Sequence, residues 1–169
     1  MSVHSYSRCW LHLIWATRNR ERMLFGEAAR KVSDFLSQYA ESKGIFVRVN
    51  YVNPEHVHAL IDLPTRYSIE EVLKLLKGTS SHWINQNCLL RGKFFWGRGY
   101  GVFSVSQSTF APVSRYISTQ EEHHRRKSFW EEYESLVKHY GLKWVKEETV
   151  ETVEDGLSPI PLPLDESRG

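Results

Sequence analysis

At 169 residues the chain is long enough for one domain with a full hydrophobic core and too short for several. Aromatic residues are frequent, and two distant cysteines, Cys9 and Cys88, fit neither a disulfide framework nor a cysteine zinc cluster; reduced thiols and a cytoplasmic location are expected. The net charge of +2 hides a basic body, with 21 basic and 13 acidic residues up to residue 146, and a tail from 147 with seven acidic residues and one basic. Such a body suits a polyanionic partner.

The first apolar run, in SYSRCWLHLIWAT, is short and broken by His12, which argues against a signal peptide or a membrane span. It alternates, with Cys9, Leu11, Leu13 and Trp15 on one face and Arg8, Trp10, His12 and Ile14 on the other, which predicts a strand. EAARKVSDFLSQYAESKG follows, a helix by the spacing of Val32, Phe35, Leu36 and Tyr39, with Gly44 as its stop. IFVRVNYV is a β-branched strand, and a further strand runs from about Glu55 to Leu63. Ser68 and Glu71 form a capping box that opens a second helix. After LLRGKFFWGRGYG comes a short strand, VFSVS, then a helix containing VSRYISTQEEHHRR. A last helix is opened by Ser128 with Glu131 and ended by Gly141. The order β-α-β-β-α-β predicts an α+β, ferredoxin-like (RRM-like) fold: a four-stranded antiparallel sheet with two packing helices, followed by two more helices. The expected divisions are a domain over 1–146 and an acidic, Pro-rich tail over 147–169.

The stretch NPEHVHALIDLP carries the chemistry. In a strand, Val57, Ala59 and Ile61 point to one face and His56 and His58 to the other. Two imidazoles roughly 7 Å apart at Cα can hold one metal ion. The usual strand order makes the first and third strands neighbours, so His12 shares that open face, either beside the site or as a hydrogen-bonded structural residue. Glu55 stands either behind the ligands or in solvent. Downstream, Tyr116 and Gln120 are four apart and share a helix face, which His123 and His124 extend. Two neutral imidazoles and an amide oxygen would leave open positions on a divalent ion for a phosphate, with a phenol nearby.

EHVHALI, LLKGTSSHWINQ, WGRGYGVFSVS and YISTQEEHH resemble, in order, the landmarks of single-tyrosine HUH transposases of the insertion-sequence 200/605 type, from about Leu11 to Tyr140. The resemblance implies Tyr116 as nucleophile and His56, His58 and Gln120 as ligands of Mg²⁺ or Mn²⁺. It also implies a homodimer acting on single-stranded DNA with a hairpin, and a 5′-phosphotyrosine intermediate.

Contacts to DNA fall on Arg91, Lys93 and Arg98, interleaved with Phe94, Phe95, Trp96 and Tyr100 as on a stacking surface, although Phe95 and Trp96 read equally as core. Lys74, Lys77 and Ser81 share a polar face of the second helix, and RNRER forms a basic loop; both are otherwise solvated charge. His123 and His124 either contact phosphate or cap the helix end. Two other readings stand beside the transposase: a host-domesticated relative that cleaves hairpins, and a non-catalytic RRM-like nucleic-acid-binding module.

Overall fold

Alternation along the first strand is realised as two different environments. Leu11, Leu13 and Trp15 enter the main core, while Trp10, His12 and Ile14 are buried against the opposite side. The computed structural model describes residues 5–144, in two compact units, Met1–His123 and His124–Gly169. The expected boundary at Lys146 and the tail beyond it lie outside the described residues.

The first unit holds β1 (Trp10–Ala16), α1 (Gly26–Ser42), β2 (Phe46–Val52), β3 (His56–Asp62), α2 (Ile69–Gln86), β4 (Gly101–Ser104) and α3 (Phe110–Ser118), and α4 (Gln120–His124) follows. A single 3-10 turn, Arg18–Arg20, separates β1 from α1. All strand pairs are antiparallel in the order β2-β3-β1-β4, so the fold is the expected ferredoxin-like α+β sheet with β1 and β3 central. Among the described residues no helix is long and apolar enough to cross a membrane.

Local chemistry sets the helix limits. Ser68 accepts the Glu71 N–H while the Glu71 carboxylate accepts the Ser68 N–H, closing the capping box at the start of α2. Gly44 follows the end of α1 at φ 69°, the left-handed turn that glycine adopts without cost. In the second unit α5 (Phe129–His139) opens on the Ser128–Glu131 capping box, and Phe129 stacks on Tyr133.

The main core lies between the sheet and α1 and α2, where Leu13, Trp15, Val57, Ala59 and Ile61 meet Val32, Leu36, Leu73 and Leu76. The opposite face, expected to be open, is covered. Trp10 and Leu60 of the sheet pack with Val105 and with Ile117 of α3, and Tyr116 leans on this cluster. Four buried apolar side chains at roughly 2 kcal/mol each hold α3 in place. A register shift between Val47 and Val49 bulges the edge strand β2, and the Arg48 guanidinium sits 5.8 Å from the Phe110 ring of α3.

The expected single helix over 113–126 is broken. Ser118 and Thr119 both turn their hydroxyls back onto the Arg115 carbonyl, each at 2.9 Å, in competition with the helix's own hydrogen bonds. Thr119 leaves helical geometry (φ −107°, ψ 24°), so Tyr116 lies in the last turn of α3, which ends at Ser118, and Gln120 begins another helix.

Candidate active site

Three imidazoles occupy the α3-covered face of the two central strands. In the β1–β3 ladder His12 is opposite Leu60 and His58 opposite Ile14, a diagonal offset of two residues that brings the rings of His12 and His58 together. His12 Nε2 and His58 Nδ1 share a hydrogen bond of 2.8 Å, and His56 Nε2 lies 3.1 Å from His58 Nε2. All three side chains are buried. Burial pushes His12 down to about 4 and lowers His56, whose shift the Glu55 carboxylate partly opposes.

The turn before β3 is clamped. Thr17 donates its N–H (2.8 Å) and its hydroxyl (3.2 Å) to the Glu55 carbonyl, and Met23 and Leu24 donate to the Pro54 carbonyl. Glu55 therefore does not face solvent freely: one carboxylate oxygen is 3.3 Å from His56 Nδ1 and the other 3.4 Å from Arg22 Nε. An ionised carboxylate only accepts, so His56 carries its proton on Nδ1 and keeps a lone pair on Nε2. The Asn53 amide, 3.1 Å away, can donate to that lone pair only while no ion occupies it. Asn53 was not singled out in the sequence, where an Asn before a strand reads as an ordinary turn residue.

His58 has two ways to satisfy the same distances. If His12 Nε2 donates, His58 carries its proton on Nε2 and directs it at His56 Nε2. If His12 Nε2 accepts, the His58 proton moves to Nδ1 and its Nε2 lone pair faces that of His56. Two lone pairs at 3.1 Å repel unless a cation lies between them, and ligand nitrogens about 2.1 Å from one ion stand about 3 Å apart. The donor pair therefore fits a divalent metal.

Tyr116 comes to this group from α3. Its half-buried ring is 6.0 Å from that of His58, 6.3 Å from that of His12 and 4.9 Å from that of the exposed His123. Gln120 is fully buried, with its amide nitrogen 3.5 Å from the Tyr116 carbonyl. In the second unit His124 Nε2 is 3.2 Å from the carboxylate of the buried Glu132.

Among the basic residues, Lys74, Arg91, Lys93 and Arg98 are exposed. Lys77 is engaged: its ammonium donates to the carbonyls of Arg98 (3.2 Å) and Gly99 (3.1 Å), and burial pushes it down to about 8. Phe94 and Trp96 are core, whereas Phe95 and Tyr100 are exposed.

Comparison with known proteins matches the chain to one family. Its profile, described as transposase, IS200-like, covers residues 5–120. The chain belongs to the IS200-like transposase family. The ISDra2 transposase TnpA of Deinococcus radiodurans is 32% identical over 116 residues, covering 66% of this chain and 83% of that protein. The transposase of insertion element IS200 from Salmonella typhimurium is 29% identical over 125 residues, 71% of this chain and 82% of the other. A crystal structure from D. radiodurans R1 attributed to a transposase aligns at 29% identity with a TM-score of 0.54, covering 71% of this chain and 96% of that one. A REP-associated tyrosine transposase bound to a REP hairpin shares the fold at 16% identity and a TM-score of 0.54, over 73% of this chain and 74% of its own. This IS200-like chain is thus a transposase by family, and its family match ends at Gln120, after the histidine strand and Tyr116.

Proposed function

We propose that this IS200-like transposase cleaves and rejoins single-stranded DNA through a covalent bond to Tyr116, with a divalent metal held by His56, His58 and Gln120. The observation that carries the reading is the facing pair of buried imidazole nitrogens at 3.1 Å, with the Tyr116 ring beside them. When bound, the ion would supply Lewis-acid neutralisation of a phosphate's charge. The resemblance favours Mg²⁺ or Mn²⁺, though the donors would also suit Zn²⁺ or Ni²⁺.

The chain's own residues do the rest. Glu55 fixes the orientation of His56, and His12 fixes that of His58. Tyr116, as a phenol of pKa about 10, is mostly protonated at neutral pH and must lose its proton as its oxygen bonds to phosphorus. That bond replaces the one to the 3′-oxygen, which leaves as a hydroxyl after taking up a proton, and the other DNA end stays attached as a 5′-phosphotyrosine. The number of phosphoester bonds is unchanged, so a different 3′-hydroxyl can reverse the step and join new ends. A partner of single-stranded DNA with a hairpin, and a homodimeric assembly, belong to this reading; the hairpin-bound structural relative supports the first. The tail from 147 is taken as a separate segment that the chemistry does not need. A domesticated, hairpin-cleaving enzyme would use the same residues. An RRM-like binding module is less well supported, because such modules display aromatics on an open sheet face and this face is covered by α3 and carries imidazoles.

The test is a denaturing gel of protein, Mn²⁺ or Mg²⁺, and single-stranded DNA from the flanks of the gene. A protein–DNA adduct that requires metal and is lost in Tyr116→Phe and His56→Ala is the expected result. Tight, metal-independent binding with no adduct would instead favour the binding module.

A further inference from the structure

Residues 94–97 extend the sheet beyond β4 as a short ladder on the end of β1. Gly97 donates its N–H to the Ala16 carbonyl (2.8 Å), Thr17 pairs with Trp96, and Arg18 donates its N–H to the Phe95 carbonyl (2.9 Å). The backbones approach so closely that a side chain at Gly97 would meet the Ala16 carbonyl at 3.3 Å. Two rings anchor the segment in the main core, Phe94 and Trp96, 4.7 Å apart. The Asn85 amide bridges the Phe94 N–H (2.7 Å) and carbonyl (2.8 Å), and the Trp96 indole donates to the Ser80 hydroxyl at 2.9 Å.

Phe95 is caught between these anchors. Strand alternation turns it away from the helices, to the side of the sheet on which His56 and His58 stand, and it is 40% exposed. A single exposed phenyl is unremarkable by itself. This one has a fixed backbone and two cations over its ring: the Arg18 guanidinium lies 5.1 Å from the ring centre and the Lys93 ammonium 5.4 Å. Among the described residues neither cation is paired with a carboxylate. Immediately after Arg18, Asn19 and Arg20 both take φ 53°, a left-handed pair that L residues adopt only at a cost and that tends to mark functional loops. The position is also close to the histidines. Ala16 pairs with His56 on one side and faces Gly97 on the other, so Phe95, two residues along from Gly97, lies two strands over and roughly 12 Å from His56.

We propose that Phe95, whose ring Arg18 and Lys93 cover in the free protein, is a stacking platform for one unpaired base of a single-stranded DNA and holds the strand near His56. The inference rests on the single-stranded DNA reading above. Every base has a π-face, so the platform holds the strand without reading its sequence, and the two long cationic side chains give up the ring to the base and turn to the neighbouring phosphates.

The test measures fluorescence anisotropy of an unstructured thymine oligonucleotide with the full-length protein in EDTA, where no cleavage interferes. Phe95→Leu is expected to weaken binding roughly tenfold and Phe95→Trp to retain it. Removing Arg18 and Lys93 together should flatten the dependence of log affinity on log salt by about 1.4. Unchanged melting temperatures show that the variants are folded. Equal affinity of wild type and Phe95→Leu overturns the platform, as does an equal loss on a fully paired duplex, which would indicate a general effect. A wild type that binds no single strand at all removes the DNA reading itself, a different failure visible before any variant is made.

Discussion

A tautomer is the smallest unit on which this site depends. His58 can offer its Nε2 lone pair only while His12 accepts its Nδ1 proton, across the 2.8 Å contact between them. His12→Gln preserves an acceptor at that place and His12→Phe does not. In metal titrations by calorimetry His12→Gln should stay within a few-fold of wild type, while His12→Phe should lose on the order of 10- to 100-fold in affinity. Nitrogen NMR of His58 should report Nδ1 protonation in the metal-loaded wild type. An Nε2 proton there would contradict the assignment. The same burial has a consequence for stability. The unfolded chain takes up a proton on His12 below about 6.5, whereas the folded chain resists until about 4. Stability is therefore full above 6.5 and is lost as pH falls toward 4, by roughly 3 kcal/mol for His12 alone, and His56 adds in the same direction. Urea midpoints between pH 7.5 and 5 should show this slope, and His12→Gln should flatten it.

At the scale of elements, α2 does something its amphipathic pattern conceals. Lys77, Ser81 and Asn85, one turn apart, all bond the backbone of the segment 94–99. A stripe that reads as solvated charge is in fact the mount of the aromatic segment. Asn85→Ala should cost on the order of 2 kcal/mol, since it strands buried groups of Phe94. Amide exchange should quicken across residues 93–99 and remain slow in α1 and β2. A uniform loss of protection would mean that the helix and the segment are one cooperative unit. The elements that were legible from sequence are those whose signal is local: the alternation of β1 and β3, both capping boxes, and Gly44 after α1. The break at Thr119 was not, because a hydroxyl turned back on a carbonyl leaves no mark in periodicity. Lys77 was misleading for a related reason, since only tertiary contacts reveal where a long cation ends. Of the site, His56, His58 and Tyr116 could be seen as residues that ought to meet. Asn53 and the pairing of Arg18 with Phe95 required the fold.

For the whole molecule, the strand order β2-β3-β1-β4 puts β1 and β3 at the centre of the sheet, covered on one side by α1 and α2 and on the other by α3. One seven-residue strand, His56–Asp62, thus contributes Val57, Ala59 and Ile61 to the core and His56 and His58 to the proposed site. Genes of mobile elements decay once nothing maintains them, and some are instead taken over for another task. In a copy that is merely decaying, substitutions would fall on both parities of this strand alike. In a copy kept for its shape, Val57, Ala59 and Ile61 would stay apolar while His56 and His58 drifted. The parity of change along β3 therefore separates a ruin from a conversion.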